Sequence, residues 1–209
     1  PHVSQLKVQK AKELIDLPTS TRRNLELTQT LRGEDSPTLF SLLDTCMTGM
    51  GSRQLKQWLL NPPRERQVAV ERLAALDQLN DNSAAAQSGV AIWVRLREQL
   101  KGASDVERIT ARIALKQVRP RELVALKNAL IRSASLSHHL QDTLGHLSPT
   151  KLLQAIHFDL QPPVGLTEIL QQALLEEPAN LIRDGGVMAN GLDSELDELR
   201  SIQTNCDDY

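Results

Sequence analysis

Met50-Gly51-Ser52-Arg53-Gln54-Leu55-Lys56-Gln57-Trp58-Leu59-Leu60-Asn61-Pro62, preceded by Thr21-Arg22-Arg23-Asn24-Leu25-Glu26-Leu27, decides what kind of fold this chain builds. In the longer stretch Leu55, Trp58 and Leu59 recur at three and four residues, so a helix places them on one face. Thr48 to Gly51 marks its start. Asn61-Pro62-Pro63 stops it, because proline disfavours helical backbone in the residue before it. In the shorter stretch Thr19, Ser20 or Thr21 caps a helix through Leu27, and a loop at Gly33 to Pro37 separates it from a further helical segment, Leu39 to Cys46.

Working outward, the residues before Pro18 are the least helical. Val3 to Ile15 alternates poorly and predicts one or two short strands or an extended linker. Downstream, from Arg64, the pattern is a succession of amphipathic helices. Ala69, Leu73, Leu76 and Leu79 form one stripe expected to be buried, and Asp81-Asn82-Ser83 supplies a break. Trp93, Leu96 and Leu100 continue the theme up to Gly102. Ser104-Asp105-Val106-Glu107 reads as a capping box in which Ser104 accepts an orphan amide, with Val106, Ile109 and Ile113 behind it. Pro120 suits a first helical turn and leads into Leu123, Leu126 and Leu130. Near the end, Asp184-Gly185-Gly186 between short apolar runs predicts a small hairpin or sharp bend at 181–188. After Gly191, Leu192, Leu196, Leu199, Ile202 and Cys206 mark a helix whose first turns are acidic, as the helix dipole favours. With no glycine or proline to finish it before Tyr209, this helix is expected to run on, its last turns frayed or held by a neighbouring molecule.

Composition agrees. Aromatic residues are 2% of the 209 positions, whereas 40% are hydrophobic, mostly aliphatic residues in helix-favouring surroundings, which fits a helical array better than a sandwich of sheets. No apolar run reaches the roughly 20 residues needed to span a bilayer. Cys46 and Cys206 have no metal-ligand spacing, and a reducing, cytoplasmic setting without disulfides is expected. The net charge of −2 hides an asymmetry: residues 1–130 carry 20 Lys/Arg against 14 Asp/Glu, and residues 131–209 carry 4 against 12. The positive residues of the first part are interspersed with acidic ones, so a solvated helix surface is expected there in place of a continuous phosphate track.

The opening pair of segments resembles the start of the central helical domain of the MutS family of DNA mismatch-recognition proteins. Asp105-Val106-Glu107-Arg108-Ile109, Arg119-Pro120-Arg121-Glu122-Leu123, and Ile182-Arg183-Asp184-Gly185-Gly186 with Glu195-Leu196-Asp197-Glu198-Leu199-Arg200 resemble further family motifs in family order. Residues 131–178 match in helical character alone. The resemblance implies a connector-domain tail or linker over 1–18 and a helical core, or lever, domain over 19–209, truncated before the clamp. It implies a mainly α fold, an irregular multi-helix array with a short N-terminal extended segment, ending in a long lever helix. It also implies a parent protein with an ATPase domain that uses ATP and magnesium. The parent's partners would be the other domains in cis, mismatched duplex DNA, a second subunit and MutL.

No catalytic, cofactor or metal site is expected in the chain itself. The glycines from Gly185 to Gly191 are followed by Leu192 and Asp193, without the Lys and hydroxyl of a phosphate cradle. His138, His139, His146 and His157 lack ligand spacing and read as ordinary surface or partly buried histidines. Glu195, Asp197 and Glu198 are explained by the helix N-terminus. Trp58 and Trp93 read as core anchors. Arg22 and Arg23 are unusual so near a helix start, and Glu26 is spaced to pair with one of them. Together with Arg108, Asp184, Gly185 and Gly186 they are the candidate structural or interdomain residues. A competing expectation is a freestanding helical adaptor that binds proteins through an apolar groove.

Overall fold

The computed structural model describes residues 13–80, 90–144 and 148–205. Among them are ten α-helices and no strand longer than an isolated bridge. The stretch before residue 13, the break at 81–83, His146 and the end of the chain from 206 lie outside the described residues.

Within the expected extended leading segment, the described residues form an antiparallel bridge, Leu14 to Pro63. The two prolines there cannot donate, so Pro62 accepts the Ile15 amide at 2.9 Å and the Arg64 amide bonds Glu13 at 2.9 Å. Helix α1 (Thr19–Asn24) follows Pro18, which occupies the N-cap position; no side chain caps it, so the expected threonine or serine cap is replaced by a proline-fixed start. It also ends before Leu27, because Glu26 takes a left-handed conformation at φ 45°. That reversal buries Leu27 and lets its carbonyl receive the Phe40 amide at 2.9 Å. Helix α2 (Leu39–Leu43), shorter than the expected Leu39 to Cys46, has a reciprocal capping box between Thr38 and Ser41. Helix α3 (Gly49–Leu60) starts where the sequence placed it, with Thr48 Oγ1 accepting the Gly51 amide, and stops at Asn61 before the prolines.

Helix α4 (Arg66–Leu79) exists as expected, but its rotation does not. Leu73 and Leu76 are 60% and 59% exposed, and Ala75 is the buried residue. At 3.6 residues per turn, Ala75 lies about 200° around the helix from Leu73. The small alanine allows α4 to close against its neighbour, and of the predicted stripe Leu79 alone reaches the core. Helices α5 (Ile92–Leu100), α6 (Val106–Ala114), α7 (Pro120–Leu144), α8 (Lys151–Asp159) and α9 (Leu166–Ala173) complete the array. The 25-residue α7, about 38 Å long, is its spine and packs against α5, α6, α8 and α9. Ala75, Ile92, Leu140 and Leu153, one residue from each of four helices, form the core, with Leu79, Leu96 and Leu152 against it. Ser137 on α7 and His157 on α8 add a polar staple: the buried serine hydroxyl donates to the His157 carbonyl at 3.0 Å, with the imidazole Nδ1 also 3.0 Å away.

Neither tryptophan is a core anchor. Trp58 is 41% exposed, with the Arg72 guanidinium 3.8 Å above its ring, and Trp93 is 44% exposed beside the fully buried Ile92. The hairpin near 181–188 takes the form of a bend, a 3-10 turn Ile182–Asp184 followed by Gly185 and Gly186 at φ 71° and 61°. It closes an antiparallel pairing in which Leu175 donates to Val187 and Ala189 donates to Ala173. Helix α10 (Ser194–Asn205) leaves this bend with Arg200 reaching back to the Met188 carbonyl at 3.0 Å and Asn190 at 2.9 Å. Its apolar residues Leu199 and Ile202 remain more than half exposed. No helix among the described residues is long and apolar enough to cross a membrane.

Candidate functional site

The strongest polar constellation joins two helices 52 residues apart in sequence. Arg53 projects from α3 as a planar fork onto the N-terminus of α6. Its two terminal nitrogens each donate at 2.8 Å to one oxygen of Asp105, and it also reaches Glu107, at 3.2 Å from Nε and 2.5 Å from a terminal nitrogen. Arg108 closes the cluster, with its Nε 3.3 Å from Asp105. The two positive and two negative groups balance. A self-neutralising cluster has no surplus charge with which to hold a ligand or stabilise a reacting one, and its geometry is that of a tie between helices.

Asp105 has a second task. It is the N-cap of α6, its carboxylate accepting the Arg108 amide. The expected capping box therefore shifts by one residue: aspartate replaces Ser104 as cap, and Glu107, instead of reaching back to its own helix, pairs with α3. The guanidinium of Arg53, then the Arg108 amide, hold the Asp105 carboxyl below its ordinary value, while the carboxylates keep Arg53 more firmly protonated. A carboxyl depressed on folding contributes stability that is full above its unfolded value near 3.8 and is lost as pH falls through the lower folded value. The thermal midpoint of the wild type should thus exceed that of Asp105→Asn at about pH 6, and the gap should shrink by about pH 3. A gap independent of pH would contradict the ionic reading of the node.

The candidate residues from sequence occupy three places. Arg108 belongs to this node. Arg22 and Arg23 lie on α1, where Arg22 Nε donates to the Leu17 carbonyl at 2.9 Å and Arg23 to the Leu31 carbonyl at 3.4 Å. Glu26 pairs with neither. The left-handed turn carries it off the helical line, and its carboxylate accepts the Leu31 amide at 2.7 Å. Asp184, Gly185 and Gly186 form the bend before α10; among the described residues the Asp184 carboxylate is paired with the exposed Arg183, at 3.7 Å. A side chain at either glycine would meet open space, so the requirement there is conformational: both have positive φ.

Arg53 was within the quoted opening stretch yet carried no local signal of its role. Its partners are Asp105 and Glu107, and a pairing across 52 residues leaves no periodicity to read. A second helix-start tie, Arg112 to Glu122 at 2.5 Å, joins α6 to α7. Glu122 also accepts the Arg119 amide at 2.9 Å. The two ties attach opposite ends of α6, the first to α3 and the second to the spine. Among the described residues no group of three or more His, Cys, Asp or Glu is placed to hold a metal.

Residues 20–209 match the family model of MutS domain III. That domain is a non-catalytic part of the MutS mismatch-repair protein and implies other MutS domains in cis. A mainly helical array whose best-built polar cluster is an interhelical tie, and whose sequence matches domain III over nearly its whole length, belongs to the MutS family.

Proposed function

We propose that this chain is a coupling, or lever, module: a helical body that passes the nucleotide state of a MutS ATPase domain to the domains that grip mismatched DNA. The observation that carries this reading is the Arg53 node with its continuation through Arg112 and Glu122. It ties the α1–α3 head to α6 by a bidentate contact and α6 to the α7 spine by a single ion pair, and a displacement applied to the head is passed on as a rigid-body motion.

The test uses the full-length protein with Arg53→Ala. DNA affinity is measured in the ATP-bound and ADP-bound states, and the ratio of the two should fall several-fold toward unity, while ATP hydrolysis without DNA stays within about twofold. An unchanged ratio, or ATP hydrolysis by this chain alone, would remove the lever assignment.

A further inference from the structure

The α1 region contains a cleft of about 450 Å³ whose wall includes Arg22, Arg23 and Arg32, with Thr28, Thr30 and Leu31 between them. Unlike the Arg53 node, this cluster is not neutralised. Among the described residues none of the three arginines is in an ion pair. Arg22 uses only Nε, on the Leu17 carbonyl, and Arg23 gives one long bond to the Leu31 carbonyl; Arg32 makes no hydrogen bond to a described residue. Glu26, just past the end of α1, accepts the Leu31 amide and makes no ion pair with the three arginines. Glu34 and Asp35 lie in the same loop, but their carboxylates form no ion pair with the trio; what Glu34 contributes is an amide donated to Thr30 Oγ1. Three arginines line one concave space with no Asp or Glu among its lining residues, so the cleft has a net positive charge that an anionic group would complement.

We infer that this cleft is the docking pocket for a carboxylate-bearing segment of another domain of the same MutS polypeptide. The inference rests on the lever reading only in taking the other domains to be present. Charge specifies the occupant's sign, and the wall specifies its class. Leu31, 54% exposed, and Leu60 give the cleft a hydrocarbon side. A protein segment with an Asp or Glu next to apolar residues satisfies both parts, whereas a nucleic-acid backbone leaves the leucines in water. Shape agrees: successive phosphates need an open track of cations, while a closed group of three suits one protruding side chain or an acidic pair.

The experiment places the photo-crosslinking residue benzoylphenylalanine at Leu31 of the full-length protein, irradiates without nucleotide or DNA, and identifies the joined peptides by mass spectrometry. The expected product is an intramolecular link to a peptide from outside domain III that contains Asp or Glu. Arg32→Glu should lower its yield by about tenfold or more, and Arg32→Gln by less. Changing the captured acidic residue to Arg in the Arg32→Glu background should restore it. An unchanged thermal midpoint of Arg32→Gln shows that the loop is still folded. Links confined to domain III, links to another protein molecule, or links formed only when duplex DNA is added would each overturn the proposal. Because no nucleotide is used, a positive cross-link stands even if the lever reading fails, and nucleotide-dependent DNA affinity can persist without a cross-link.

Discussion

Leu140→Ala lowers the unfolding free energy of this chain by about 2–5 kcal/mol. Leu140 is 3% exposed and lies near the end of α7, where it meets Ala75 of α4, Ile92 of α5 and Leu153 of α8. Removing its branched end loses transfer free energy and leaves a cavity. Two features keep that cavity from collapsing. Ala75 is already small and its methyl cannot swing in, and the surrounding helices are held by separate contacts, including Gln78 of α4, whose side chain bonds the Ser148 carbonyl and the Thr150 amide. Leu140→Met, nearly equal in volume, should cost less than about 1.5 kcal/mol. Chemical denaturation of the three proteins checks this, and a loss below about 1 kcal/mol for the alanine variant would mean that the four-helix core is not closed.

Asp105→Ala is the second large effect, because one carboxylate serves two structures. Loss of the N-cap alone costs about 0.5–2 kcal/mol, and the Arg53 fork loses its bidentate acceptor at the same time. Asp105→Asn separates the parts: asparagine caps as well as aspartate does but carries no charge. The expected order of stability is wild type, then Asn, then Ala. The step from wild type to Asn should diminish in high salt, whereas the step from Asn to Ala should persist. In an Arg53→Ala background the first step should shrink, since the bidentate partner is gone and Arg108 alone remains to pair with the carboxylate. Equal steps in both backgrounds would show that Arg53 and Asp105 act independently.

Much of the helical plan was legible locally. Thr48 with Gly51, and Asn61 before Pro62, placed both ends of α3; Pro120 placed the start of α7; Gly185 and Gly186 placed the bend before α10. These are decisions about individual backbone donors and φ angles, and the residues that make them are neighbours in the chain. Rotation was not legible. The stripe through Leu73 and Leu76 is periodic, but periodicity identifies a helix without saying which side meets the rest of the protein. Alanine at 75 allowed a closer approach, and the leucines were left outside. The same applies to Trp58 and Trp93, large apolar groups that stay half exposed.

The candidate site divided in the same way. Arg108 joined the node and Arg22 and Arg23 came to line the charged cleft, while the expected pairing with Glu26 failed because one left-handed residue interrupts the helix on which it depended. Arg53, Asp105 and Glu107 acquired their relation from folding alone. The sequence by itself determined that the chain is helical, where several helices begin, both ends of α3, and, through ordered motifs, its family. Tertiary structure decided which faces are covered, which charges neutralise each other and which remain open. Hydrogen bonding within a helix is settled over four residues, whereas burial and charge pairing depend on surfaces that only the folded chain brings together.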